Sequence, residues 1–185
     1  MRSFLDRFYD FTLYVAAGCL VLIAVLVGAQ VAGRLYDLLR VLFGNLPYGF
    51  LVPSLAELSG YLLAAASFLA LAGTLKRGAH IRVTVLLTNV PERARFWLEL
   101  WGLAAGVAFV GFACWQLSLL SYDSFRFNEV SYGIILMPLW IPQGVMALGA
   151  ATLLVALVDE FVITLRRGRP SFRAGEDVAT GTKEG

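Results

Sequence analysis

Four long apolar stretches constrain this chain more than any other feature of its sequence. They cover about residues 9–33, 53–75, 95–122 and 134–165, with most charged residues at their ends. An apolar run of roughly 18 residues or more can cross the hydrocarbon core of a bilayer as an α-helix. With 59% hydrophobic and only 15% charged residues, the chain lacks the polar surface of a soluble domain. We therefore predict an all-α membrane protein with four transmembrane helices.

The four predicted spans form one membrane domain over residues 1–166. Between the second and third spans, polar and apolar residues alternate over 79–90. An isolated strand cannot satisfy its backbone groups in lipid, so this pattern predicts a short helix lying in the membrane interface. Residues 167–185 carry no apolar pattern, which predicts a disordered tail.

Basic residues are unevenly distributed between the two sides of the predicted bundle. Four spans place both termini on one side, and twelve Lys and Arg residues flank that side against three on the other. Short loops rich in Lys and Arg remain in the cytoplasm, so we predict that both termini are cytoplasmic. Aromatic residues predict the position of the cytoplasmic interface, namely Tyr9, Tyr14, Trp97 and Trp101.

The polar and sulfur-containing side chains give no sign of catalysis. His80 is the only histidine, and no second ligand near it in sequence indicates a haem or metal site. Cys19 and Cys114 lie at different predicted depths, too far apart for a disulfide. Gln30 and Gln116 are expected to make interhelical hydrogen bonds. We predict no cofactor, no metal site, no nucleic-acid partner and no enzymatic activity.

Arg34 and Glu57 are charged residues at the ends of the first and second spans. A charge deep in lipid costs at least about 2.5 kcal/mol. One interpretation is that the two side chains pair, within the chain or with a partner subunit. The other is that both extend independently to water.

Three motifs in this order resemble the small membrane subunit of tripartite ATP-independent periplasmic (TRAP) transporters, often called DctQ-like. They are AELSGYLLAAASFLALAGTLKRGAHIRV (56–83), VPERAR (90–95) and PLWIPQGVMALGAATLL (138–154). An acidic residue opens the second span, an R-G-A-H-I turn follows it, and P-L-W-x-P opens the fourth. The resemblance covers roughly residues 8–166.

This resemblance implies a scaffold subunit of a secondary-active transporter in the bacterial inner membrane. Its partners would be a large, sodium-coupled TRAP permease subunit, a periplasmic substrate-binding protein that it helps to dock, and the surrounding membrane lipids. The transported solute would be a small organic acid or a similar compound. Five positions are candidate subunit-interface or structural residues under the resemblance: Arg34, Glu57, His80, Trp140 and Pro142.

Two positions depart from the family pattern. Many members have a second acidic residue where this chain has Ala56, and another acidic residue where it has Thr84. An alternative function is a free-standing four-helix membrane protein, either a small channel or a redox enzyme. A channel would need polar residues along its spans and a redox enzyme paired His or Cys, and both patterns are weak here. The sequence favours the scaffold subunit.

Overall fold

The computed structural model describes residues 2–76 and 91–167, which form four long helices. Helix α1 covers Arg2–Leu42, α2 covers Leu55–Lys76, α3 covers Glu92–Arg126 and α4 covers Trp140–Arg167. All four are long and apolar enough to cross a membrane, so the predicted all-α fold with four spans is confirmed. The interfacial helix predicted over 79–90 lies outside the described residues, as does most of the predicted tail.

The helices pack side by side in the order α1, α2, α4, α3. Helix α2 packs against α1 and α4, and α4 packs against α2 and α3, whereas α1 and α3 lie at the two ends of this row. Burial follows the same order. Over the most apolar 18 residues of each helix, 44% of the residues in α4 are buried, compared with 11% in α1 and 6% in α3. The outer faces of α1 and α3 are therefore available to lipid or to another protein.

A close contact between helices joins α2 and α4 at Gly149. A Cβ atom added to Gly149 would lie 2.7–2.8 Å from backbone and Cβ atoms of Phe68, so only glycine fits there. Small residues at a helix interface allow such an approach in membranes, where packing replaces the hydrophobic effect. Helix α3 also carries two glycines four residues apart, at 102 and 106, but they approach no neighbour as closely. A Cβ at Gly102 would meet nothing within 4 Å, and one at Gly106 would lie 3.8 Å from the Leu157 side chain.

The first helix ends in a Schellman motif. The N–H groups of Gly44 and Asn45 bond to the carbonyls of Val41 and Arg40, at 3.0 and 2.9 Å. Gly44 has φ +75°, the left-handed conformation that this motif requires and that glycine adopts without strain.

The fourth helix begins at Trp140, six residues after the predicted start of the span at 134. The delay arises because residues before Trp140 pair within a loop. Val130 and Pro138 form an antiparallel bridge, and the N–H of Leu139 bonds to the Glu129 carbonyl at 3.0 Å. Pro142 lies in the first helical turn, where a missing N–H costs little.

The two ends of the bundle differ in what they contain. Tyr9 of α1, Ala72 of α2 and Ala156 of α4 form one buried cluster. The beginning of α1 therefore meets the ends of α2 and α4, and we call this the terminal end. The opposite end carries the connections 43–54 and 127–139, and we call it the loop end.

Two further expectations can be compared with the structure. Tyr9 was placed at the lipid interface, but it is only 3% exposed because its face of α1 turns towards α2 and α4. Tyr14, Trp97 and Trp101 are exposed as expected. Both cysteines are free, which agrees with the prediction that they form no disulfide.

Candidate functional site

The connection 43–54 folds back along the last turns of α1 and is held there by side chains of that helix. The Asp37 carboxylate accepts hydrogen bonds from the N–H groups of Tyr48 and Gly49, at 2.7 and 2.9 Å. About two helical turns earlier in α1, Oε1 of Gln30 accepts a 2.7 Å hydrogen bond from the N–H of Val52. Gln30 thus bonds to a loop backbone, whereas an interhelical bond was expected. These bonds satisfy backbone donors of a connection that has no regular secondary structure of its own.

The connection 127–139 is a compact loop with its own hydrogen bonds. Ser131 is buried, and its N–H bonds to the Met137 carbonyl at 2.9 Å. Its hydroxyl donates to the Ile135 carbonyl at 3.1 Å. At the base of the loop, the buried hydroxyl of Ser124 donates to Oε2 of Glu129 at 2.7 Å. Internal bonding of this kind gives the loop a defined shape.

This loop rests on the first turn of α2. The N–H of Ile135 donates a 3.0 Å hydrogen bond to Oγ of Ser54, across 81 positions of sequence. Gly133 lies against the half-buried Glu57 carboxylate, and a Cβ added to Gly133 would overlap that carboxylate and lie 2.6 Å from Oγ of Ser54. Glu57, a candidate from the sequence, therefore contacts the loop between α3 and α4.

Trp140 and Pro142 connect the same loop to α3 and α4. The Trp140 ring meets the ring of Phe125 edge to face, with centroids 5.7 Å apart. The Ser121 hydroxyl donates to the Trp140 carbonyl at 3.1 Å, which links α3 to the first residue of α4. Pro142 is buried. Both residues thus lie in the first turn of α4, and whether their role is structural or at a subunit interface stays a prediction.

The loop end presents a largely apolar surface outward. Tyr132 is 100% exposed, and it stands at the tip of a loop whose backbone is fixed by the bonds above. The other large apolar side chains exposed on the two connections are Phe43, Leu46, Tyr48, Phe50, Leu51, Phe127, Val130, Ile134, Ile135 and Leu136. Exposed apolar patches of this kind mark sites of protein or membrane interaction.

The remaining candidates behave differently from one another. Arg34 is exposed on α1, and α1 continues for eight residues beyond it. Among the described residues, Arg34 and Glu57 form no ion pair with each other. His80 lies outside the described part of the chain. The assignment of these residues to a subunit interface stays a prediction.

Polar side chains also lie together at the terminal end of the bundle. A small cavity there is lined by Tyr9, Leu75, Ala156, Asp159 and Glu160. Glu160 is 5% exposed, deep for a carboxylate. In residues 2–76 and 91–167, no cluster of three His, Cys, Asp or Glu side chains could hold a metal ion.

Sequence reasoning did not find the side chains that hold the two connections. The sequence patterns did not single out Asp37, Ser54 or Ser131. One signal was available for Asp37, because it lies past the length of helix that a bilayer needs and precedes a glycine-containing connection. Ser54 and Ser131 gave no signal, since their partners lie on a different part of the chain or depend on the loop's shape.

The sequence matches a family of membrane proteins, in agreement with the four-helix fold described above. The family model for the DctQ component of tripartite ATP-independent periplasmic transporters matches residues 23–167, which include α2, α3, α4 and about half of α1. No curated protein matches the sequence significantly. The DctQ component is part of a transporter and is not an enzyme, and TRAP transporters lie in the inner membrane. The chain belongs to the DctQ family, the small membrane subunits of TRAP transporters.

Proposed function

We propose that this subunit is a scaffold that holds a large, sodium-coupled permease subunit in the membrane during solute uptake. The solute is a small organic acid or a similar compound, and it is carried by the large subunit. The observation that carries this proposal is the membership of the DctQ family, whose members act in a complex with a large permease subunit and a periplasmic binding protein.

The shape of the helix row supports a scaffold role. The described helices lie in a single row, and the outer helices α1 and α3 leave most of their surface uncovered. An extended row presents a broad, rigid face to a larger neighbour, whereas a closed bundle buries its own surface. Glycine at the α2–α4 contact fixes the spacing of the two central helices.

The second part of the proposal concerns orientation. The termini lie in the cytoplasm, as the distribution of Lys and Arg predicts, so the loop end faces the periplasm. There the exposed apolar side chains of 43–54 and 127–139 form part of the surface on which the periplasmic binding protein docks. The hydrogen bonds that hold 43–54 to α1 and those within 127–139 support this role, because a fixed surface loses less entropy on binding.

Co-purification tests the proposal directly. The affinity-tagged subunit is expressed together with a large TRAP permease subunit from the same organism and extracted in a mild detergent. We expect the large subunit to be recovered with it. Reconstituted vesicles containing both subunits should accumulate solute only when the binding protein and a sodium gradient are both supplied.

Two results would count against the proposal. One is a tagged subunit that is purified as a stable homo-oligomer, with no large partner although both chains are expressed. The other is uptake by the large subunit alone at the rate of the complete system, since a scaffold would then be dispensable.

A further inference from the structure

Gln116 presents a polar amide on the exposed surface of α3. Within residues 2–76 and 91–167, this amide makes no hydrogen bond. Two hydroxyls on the exposed faces of the spans are satisfied locally: that of Ser118 donates to the Cys114 carbonyl at 2.8 Å, and that of Ser67 to the Leu63 carbonyl at 2.8 Å. Gln116 therefore differs from them.

The position of Gln116 places its amide in the hydrocarbon region. The nearest charged residue towards the end of α3 is Asp123, about 10 Å away along the helix axis. Side chains of an α-helix lean towards its N-terminus. From Gln116 this direction leads away from Asp123 and deeper into the apolar span, so the amide does not reach water easily. An amide without a partner is costly in hydrocarbon.

Gln116 lies in the middle of an apolar stripe. Positions three, four and seven residues away share its helix face. Four of them carry large exposed side chains, namely Phe109, Phe112, Leu119 and Leu120, and the stripe ends at exposed Asp123. We call this surface, residues 109, 112, 116, 119, 120 and 123, the Gln116 stripe.

We propose that the Gln116 stripe binds a transmembrane helix of the large permease subunit that supplies a hydrogen-bond partner to the Gln116 amide. This inference rests on the proposed function, because it needs a large membrane partner. It adds to that function the surface of this subunit that makes the contact and the chemistry of the contact. The partner places a polar group at the depth of Gln116 and surrounds it with apolar side chains. Lipid tails could cover the apolar part of the stripe but offer nothing to the amide.

Charge makes a second copy of this chain a poor occupant. Two copies share the same orientation in the membrane, so a twofold dimer through α3 would place the two α3 helices in parallel. Gln116 would then face Gln116, but Asp123 would also face Asp123. Like charges at one level of a helix contact repel each other. A different partner can place a neutral or basic group opposite Asp123.

Photo-crosslinking in the complete complex tests the contact. Phe112 is replaced by p-benzoylphenylalanine, which keeps an aromatic side chain in the stripe, and the complex is irradiated in membranes. We expect an adduct with the large subunit. In a Gln116→Leu background, the yield of this adduct should fall by about threefold, the effect of one hydrogen bond between transmembrane helices.

The matched control is Ser118→Ala, which removes a polar group of the same helix whose hydrogen bond is internal. It should leave the adduct yield unchanged. An adduct only with a second copy, an equal yield in Gln116→Leu, or no protein adduct while the large subunit co-purifies would overturn the inference and leave the scaffold proposal intact. Failure of the unmodified subunit to co-purify with any large partner would overturn both.

Discussion

The side chain of Gln30, within the first span, bonds to the backbone of Val52 in the connection that follows α1, with 2.7 Å between Oε1 and N. A polar residue in an apolar span is thus used to fix a loop to the helix that precedes it. Together with Asp37, it provides acceptors for three backbone N–H groups of one short segment.

Removing the Asp37 carboxylate should release the connection 43–54. In Asp37→Ala, the N–H groups of Tyr48 and Gly49 lose charge-assisted hydrogen bonds worth roughly 1.5–3 kcal/mol each when shielded from water, and less on this exposed surface. We expect their hydrogen exchange to become about tenfold faster. The control is Asp123→Ala, another exposed aspartate near a helix end. Unchanged exchange in Asp37→Ala would contradict the assignment.

A methyl group at Gly149 should destabilise the bundle. In Gly149→Ala, the new Cβ would meet the backbone of Phe68 at 2.7 Å, and relief requires the two central helices to separate. Overpacking of this kind costs about 1–3 kcal/mol of unfolding free energy. In Gly102→Ala, the Cβ enters open space, and better helix propensity should leave stability equal or slightly higher. Denaturation in detergent compares the two, and equal stabilities would refute the close contact.

A methyl group at Gly133 should displace the loop 127–139 from α2. In Gly133→Ala, the Cβ would occupy the place of the Glu57 carboxylate, so the hydrogen bond from Ile135 to Ser54 should break. Faster hydrogen exchange of the Ile135 amide is the expected result. Gly60→Ala is the control, because a Cβ there meets nothing within 4 Å. Equal protection of Ile135 in both variants would show that the loop does not rest on α2 in this way.

Truncation after Arg167 should leave the transporter assembled and active. Helix α4 ends at this residue, and the family match ends there as well. The sequence 168–185 has no apolar pattern with which to pack. We expect recovery of the large subunit and the uptake rate to match those of the full chain. Loss of assembly would mean that the tail contributes contacts that its composition does not predict.

Labelling from outside should establish the orientation. Tyr132 is fully exposed at the loop end, so Tyr132→Cys in a background lacking Cys19 and Cys114 provides a single reactive thiol. A maleimide that cannot cross the inner membrane should label it in intact cells. Labelling only after the cells are broken would place the loop end in the cytoplasm and reverse the proposed topology.

The sequence by itself determined the fold class and the family. Long apolar runs must become helices in lipid, because every backbone N–H and C=O then bonds within its own segment. For this reason the four spans were predictable one at a time. Their ends were less predictable: α1 extends beyond the predicted 9–33 on both sides, and α4 starts later than predicted because Pro138 and Glu129 belong to a loop bonded to itself. The motifs containing Glu57, Trp140 and Pro142 indicated the family before any packing was known.

Only the tertiary structure decided which side of each helix is covered. Hydropathy cannot distinguish the faces of a helix when all of them are apolar. Tyr9 was therefore expected at the lipid boundary, although it lies on the face of α1 that packs against α2 and α4. The same limit hid the contact of Gly149 with Phe68, the loop bonds of Gln30 and the exposure of Gln116. Each depends on the neighbour that a side chain meets, and that neighbour is set by the order in which the helices pack.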